Sequence, residues 1–333
     1  MKKYKAVFVE YLPPNSKSIY ASYAPQDIEF VGMETRDTSE MLEKSKDADF
    51  YMLYGMPYGI TMDKQMVDHS PNLKMLVYHG MSFEKTDIAY ANSKNIPIVG
   101  TPVATDEAVA EFTVMMILAS MRRLPLADSA LRKGNFYTWE LREVSYSLLG
   151  KTVGLIGFGS IAHFVAERLK GFGVKIVVYD KYKKFSEDEQ KTFEVRQVNS
   201  LEELATCSDV VSLHANYSVA DHGSINRETL FNKMKPTAFF INTARGKLVN
   251  QKDIAQVLKE KRIAGVALDV YEEETVHLND PLVSLDNVVL TPHIGSGTRD
   301  VIAARAEYMF DNMIRFLENR PLQSCINSDQ IKK

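Results

Sequence analysis

Between Lys151 and Asp180 the chain reads KTVGLIGFGSIAHFVAERLKGFGVKIVVYD. Val153 to Ile156 is an apolar run of buried-strand length, and Gly157 to Ala162 spells GxGxxA. Ala166, Leu169 and Phe172 follow at helical spacing, and Lys175 to Tyr179 forms a second β-rich run that ends on Asp180. Strand, glycine turn, helix, strand and acid in that order constrain the fold to a βαβ unit of the dinucleotide-binding kind. Gly157 permits a sharp exit from the strand, and Gly159 lets the backbone approach a pyrophosphate. Ala162 lets the helix lie close on the sheet, and the unpaired N–H groups at the helix start face the phosphate. Asp180 falls at the spacing of about twenty residues from which a carboxylate reaches ribose hydroxyls. There it favours NAD over NADP, because a 2′-phosphate would meet a like charge.

A chain of 333 residues has room for two ordinary domains. A net charge of −3 lacks the basic excess of a nucleic-acid binder, so no nucleic-acid partner is expected. Cys207 and Cys325 are far apart and show neither CxxC nor Cys/His spacing. That excludes a disulfide scaffold, gives no metal signature and points to a reducing cytoplasm. The N-terminal apolar run is interrupted by Glu10 and is too short for a signal peptide. Phe112 to Met121, the most apolar helix, is too short to span a bilayer, so no membrane partner is expected.

Upstream, Ala6–Val9, Ile28–Val31, Asp49–Leu53, Lys74–Tyr78 and Ile96–Val99 read as five short strands separated by helical segments such as Thr38–Asp47 and Asp63–His69. Thr101–Pro102 marks a boundary, and Thr105 to Leu124 reads as one long helix with acids at its start and Arg122–Arg123 at its end. The Met stripe in that helix reads as core. Leu131 to Leu149, with the single tryptophan Trp139, reads as irregular, either an extended arm that packs on a partner subunit or a plain surface loop. Past Asp180, Asp209–Leu213, Ala238–Asn242, Ala264–Leu268 and Val288–Leu290 read as further strands, and Asp300 to Asn319 as a final amphipathic helix. The alternation specifies an α/β protein of two Rossmann-like domains with doubly wound parallel sheets, and a hinge and cleft between them. One domain takes residues 1–101 plus 300–333 and is flavodoxin-like and substrate-binding; residues 102–299 form the dinucleotide-binding domain.

The distinctive polar residues fall just after strands: Gly157, Asp180, His214, Arg245, Asp269 and His293. Carboxyl ends of parallel strands form the rim where ligands bind, so residues remote in sequence gather there. His293 can exchange a proton near neutral pH, and Arg245 offers a planar fork matched to a carboxylate. The acidic run Glu272–Glu273–Glu274 supplies a carboxylate that would favour the imidazolium form of His293. His69, His163, His222 and His277 lack such company and read as structural, and Lys181 to Lys184 as a solvated loop.

GKTVGLIGFGSIA, NTARGKLVN, GVALDVYEEE, TPHIGSGT and, upstream, NIPIVGTPVATDEAVAEF together resemble the D-isomer-specific 2-hydroxyacid dehydrogenases along nearly the whole chain. The resemblance implies that Arg245 binds the substrate carboxylate and carbonyl, that His293 is the catalytic acid/base, and that Glu274 is its paired acid. It implies substrate-binding amides at Gly80, Met81 and Ser82. It places Ser160, Ile161, Asp180, His214, Thr243, Asp269 and Gly295 at cofactor contacts, and Val109 facing the nicotinamide. NADH would deliver hydride to a 2-oxo acid while His293 protonates the alkoxide. A homodimer is expected, with Leu131–Leu149 in the arm. Departures from the pattern fall at Thr275, at Ala215–Asn216 and in the substrate loop HGMSFEKTD, with Tyr54 and Met56 near a pocket wall. The GSGT after His293 is closer to glyoxylate, hydroxypyruvate and phosphoglycerate members than to D-lactate enzymes. Two alternatives stay open on the same scaffold: an NAD-sensing co-repressor, and a dehydrogenase of another small anion such as formate or phosphite.

Overall fold

A computed structural model of the chain describes residues 3–55 and 59–331. Met56 therefore lies outside the described residues. The chain divides into two compact units, residues 1–105 with 297–333, and residues 106–296.

In the first unit β1 (Tyr4–Tyr11), β2 (Ile28–Met33), β3 (Phe50–Leu53), β4 (Met75–Tyr78) and β5 (Ile98–Val99) form a parallel sheet in the order β2-β1-β3-β4-β5. This is a doubly wound order, with its reversal between β1 and β3. Strand residues alternate between two cores because successive side chains leave opposite faces. Val7, Val9, Tyr51, Leu53, Leu76 and Tyr78 line one face. Ala6, Phe8, Phe50, Met52, Met75 and Val77 line the other, against Ala306, Met309, Phe310 and Met313 of the helix Arg299–Leu317. Burying each large side chain there contributes about 1.5–3 kcal/mol. Pro14–Tyr23 is a helix the sequence patterning did not pick out, started by Pro14 in its first turn.

The second unit is built on β6 (Thr152–Ile156), β7 (Lys175–Tyr179), β8 (Val195–Gln197), β9 (Val210–Leu213), β10 (Phe239–Asn242), β11 (Gly265–Leu268) and β12 (Val288–Leu290). Every pairing is parallel, in the order β12-β11-β10-β9-β6-β7-β8, so the winding reverses between β6 and β9. The short edge strand β8 was missed from sequence.

Two expectations are corrected. The long helix stops at Met121, because Arg123 adopts the left-handed conformation, φ 53°, and its Nη2 donates to the Ala264 carbonyl at 2.7 Å just before β11. A second helix starts at once, Leu124–Arg132, with Pro125 in its first turn. Within the expected irregular arm, Thr138–Val144 is also a helix, capped by no side chain at its start. It has no buried residue, so its apolar side chains carry no helical signal of burial.

Candidate active site

Because the seven strands of the second unit run one way, their carboxyl ends share one edge of the sheet. Gly157 follows β6, Asp180 β7, His214 β9, Arg245 β10, Asp269 β11 and His293 β12. At the reversal point the β6 and β9 ends pass so closely that a Cβ on Gly157 would stand 2.8 Å from the Ala215 nitrogen. Gly157 also has φ +83°, a conformation glycine alone adopts readily.

Two residues apart from this turn, Gly159 is different. A Cβ there would meet nothing within 4 Å, so the chain leaves open space in front of the helix Ser160–Leu169, whose first turn no side chain caps. Open space facing uncapped N–H groups fits a phosphate group. Asp180 ties this turn to the next loop: Oδ2 accepts from Phe158 N at 3.1 Å, and Oδ1 accepts from Tyr182 N and Lys183 N at 2.9 and 3.0 Å. Of the lysines that follow, Lys181 pairs with Asp221 and Lys183 with Glu189. Their charge is thus spent on neighbouring carboxylates. Ser160 donates to Asp106, and Ile161 packs partly buried on the core. Thr243 bonds Thr113 through their hydroxyls at 2.8 Å. His214 Nε2 lies 2.9 Å from Ser212 Oγ, and burial holds its pKa down at about 4, so this ring is neutral.

Asp269 organises the loop after β12. Its Oδ1 accepts from Thr291 Oγ1 at 2.7 Å and from Ile294 N at 2.9 Å, and its Oδ2 accepts from Gly295 N at 2.8 Å. The backbone carbonyl of Asp269 takes the His293 N–H, also at 2.8 Å. These bonds hold His293 at φ +53°, a conformation that an L residue adopts only when its surroundings impose it. A Cβ on Gly295 would come 3.0 Å from Asp269 Oδ2 and 3.7 Å from Val109, which places Val109 beside this loop.

His293 Nδ1 lies 3.0 Å from Glu274 Oε2, with the histidine 24% and the glutamate 10% exposed. A carboxylate on Nδ1 makes that nitrogen the proton-bearing one and leaves Nε2 as the atom that gives or takes a proton. Arg245 is not bonded to either. It is exposed, and its Nη1 donates to the Ala244 carbonyl at 2.8 Å. Its backbone is nevertheless fixed against the Glu274 loop: a Cβ on Gly246 would stand 1.9 Å from the Tyr271 carbonyl, so only glycine permits this packing.

Comparison with known proteins decides the family. The sequence profile for the D-isomer specific 2-hydroxyacid dehydrogenase NAD binding domain matches residues 114–295. The chain belongs to that family. Similar proteins include a glyoxylate reductase from Thermofilum pendens, 38% identical over 81% of this chain and 80% of its own length. A glyoxylate reductase from Pyrococcus furiosus is 34% identical over 88% of this chain and 86% of its own length. The apo-structure of D-lactate dehydrogenase from Escherichia coli superposes with a TM-score of 0.85 over 97% of this chain and 99% of that one. At 22% identity that is a likeness of fold. As a 2-hydroxyacid dehydrogenase, the protein is an NAD-dependent oxidoreductase that interconverts 2-oxo and D-2-hydroxy acids.

The sequence patterning overlooked one cluster in the first unit. His79, at the head of the loop HGMSFEKTD, bonds Tyr20 through Nδ1, and Arg305 is 4% exposed behind the same loop. A signal was present: Arg305 interrupts the apolar spacing Ile302, Ala306, Met309 and Met313 on the last helix.

Proposed function

We propose that the dehydrogenase reduces a small 2-oxo acid of the glyoxylate or hydroxypyruvate kind, with His293, Glu274 and Arg245 as its catalytic residues. The observation that carries this is the Glu274–His293 pair, held at the carboxyl edge of the sheet by the Asp269 bonds. Bound NADH supplies the hydride. His293 Nε2 gives its proton to the developing alkoxide, and Glu274 fixes the ring and balances its charge. Arg245 binds the substrate carboxylate and polarises the carbonyl, and the N–H groups of Met81 and Ser82 take carboxylate oxygens. In the oxidative direction neutral His293 accepts the hydroxyl proton. Glyoxylate reductases among the relatives, those of Thermofilum pendens and Pyrococcus furiosus included, support the small substrate.

Gly157, Gly159, Ser160 and Ile161 would hold the pyrophosphate and Asp180 the ribose hydroxyls, with His214, Thr243, Asp269, Gly295 and Val109 lining the remainder of the cofactor site. Asp180 supports NAD over NADP, since Lys181 and Lys183 beside it are paired with acids. Gly159→Val, whose side chain would enter open space, is expected to leave Tm within a few degrees and weaken NADH binding by about ten-fold or more.

The protein acts as a homodimer. Leu124, Leu131, Phe136, Trp139 and Leu149 are between 55% and 81% exposed along one stretch, more apolar surface than scattered single residues would give. Light scattering after gel filtration is expected to give twice the mass of 37.7 kDa. A cytoplasmic home accords with the two free cysteines. Among the described residues no helix is long and apolar enough to cross a membrane. The deciding assay follows NADH absorbance on addition of glyoxylate, hydroxypyruvate, pyruvate and bulkier 2-oxo acids, with NADPH in parallel. Turnover greatest with the smallest acids and with NADH is expected; silence across the panel with NADH still bound would overturn the proposal.

A further inference from the structure

The loop after β4 is held on every side within the first unit. Gly55, φ +70°, passes so close that a Cβ on it would stand 2.2 Å from the Ser82 carbonyl. Gly100 leaves room for the Met81 sulfur, which a Cβ would meet at 2.4 Å. Phe83 packs on Tyr78 with ring centroids 5.0 Å apart. Gly80 itself has φ +131°, a region other residues avoid.

Carbonyls of the loop point at donors. Thr101 N donates to the Gly80 carbonyl at 2.9 Å, and Arg305 Nη1 to the His79 carbonyl at 3.4 Å. Across a trans peptide the carbonyl of one residue and the N–H of the next point opposite ways. The Met81 N–H is therefore turned away from Thr101. Among the described residues neither Met81 nor Ser82 donates its backbone N–H to any acceptor. Free, fixed donors on a rigid loop are the makings of an anion seat.

Arg305 lies behind this seat in an unusual state. It is 4% exposed, yet no carboxylate stands within ion-pair distance among the described residues. Nη2 donates to Thr105 Oγ1 at 2.6 Å, while Nε has no hydrogen-bond partner among the described residues. A buried guanidinium stays charged, and leaving it unpaired is costly. Arg305 Nη1 lies 3.4 Å from the His79 carbonyl, and the Met81 nitrogen is at most two residues of chain beyond that carbonyl, which bounds its distance from the guanidinium at about 10 Å. That is about one Debye length at 0.1 M salt, and one end of the pair, Arg305, is buried, so its charge is felt at the half-exposed Met81 amide. The neighbouring ring adds no competing charge. Burial, and then Arg305 itself, hold the His79 pKa well below the usual histidine range, so it stays neutral against Tyr20.

We propose that Arg305 is a positioning residue for the anionic substrate: it steadies the His79 carbonyl and lends its uncompensated positive charge to the seat formed by the Met81 and Ser82 amides. This rests on the assignment of that loop to the substrate carboxylate. The charge is completed only when a carboxylate arrives, which explains why a buried cation is kept without a protein partner.

The test uses the full-length protein with Arg305→Met, Arg305→Gln and Arg305→Lys. In Arg305→Met the KM for glyoxylate is expected to rise about ten-fold, from losing the positive charge behind the seat, with kcat and the KM for NADH within about three-fold of wild type. Arg305→Gln, which keeps hydrogen bonding without charge, should behave like Arg305→Met and serves in its place if that variant folds poorly. Arg305→Lys should fall between the neutral variants and wild type. Thermal stability of the neutral variants is expected to hold or rise, because an unpaired buried charge has been removed. A glyoxylate KM within two-fold of wild type in the neutral variants overturns the inference, as does a parallel rise in the KM for NADH or a lysine variant as impaired as methionine. If wild type itself reduces no 2-oxo acid, the proposed function fails instead, so the two failures are read from different proteins.

Discussion

Two histidines in this protein sit at the ends of parallel strands and have opposite company. His293, after β12, faces the Glu274 carboxylate at 3.0 Å and is held in a left-handed backbone by bonds that converge on Asp269. His79, after β4, faces a phenol, Tyr20, and has the Arg305 guanidinium on its own carbonyl. Burial, and then the Arg305 cation, keep the His79 ring neutral, whereas His293 has a carboxylate on its Nδ1. The two histidines share a position at a strand end and differ in the charge of the partner each one faces. On the proposed function one ring moves a proton, and the other remains a fixed neutral part of its loop.

Removing His293 should break this contrast most severely. His293→Ala is expected to lower kcat by roughly 10²–10⁴-fold, the usual share of general acid–base catalysis, while NADH still binds in a fluorescence titration. Turnover near wild type would mean that the proton comes from elsewhere.

Glu274→Gln sharpens the contrast by keeping the shape and deleting the charge. A fall in kcat on the order of 10²-fold with KM little changed is expected from steady-state kinetics. An effect confined to KM would show that Glu274 serves binding rather than the imidazole.

Acid should find the neutral rings next. His79 and His214 both have pKa values depressed by burial, the latter to about 4. Below about pH 6.5 the unfolded chain takes up protons that these folded rings refuse, so stability is full above that pH and declines as pH falls toward 4. Each unit of separation is worth about 1.4 kcal/mol. Thermal melts from pH 7 to 4.5 should show a shallower decline for His214→Gln than for wild type. Identical slopes would mean that His214 titrates normally.

The smallest effect belongs to Tyr20→Phe. Losing one hydroxyl bond to His79 should cost about 1 kcal/mol of stability in denaturant titration, with kcat unchanged. A large loss of turnover would instead give His79 a role in proton transfer and erase the contrast.

Much of the second unit was legible from the residues in order. Glycines at 157 and 159, the acid at 180 and the short apolar runs specify a parallel sheet, because strand length, turn chemistry and spacing are local properties. The edge strand β8, at Val195–Gln197, escaped because Val195 alone of the three is buried and the run is short. Helix Leu124–Arg132 was hidden by Pro125 and by Arg123, whose left-handed turn answers to a carbonyl 141 residues away. Glu274 and His293 were legible as candidates, but which of three consecutive glutamates meets the ring is decided by the loop's path. Glu272 turns instead toward His222 at 3.6 Å.

By itself, then, the sequence determined the alternation of strands and helices in both units and the set of polar groups that end up after strands, since both follow from patterns a few residues long. Folding decided the partners. Asp269 serves the backbone of residues 291–295, Glu274 rather than its neighbours meets His293, and Arg305 stays buried beneath a loop more than two hundred residues earlier. Such pairings depend on where strand ends and helices come together in space, and a cation's lack of an acid beside it is visible only once everything around it has been placed.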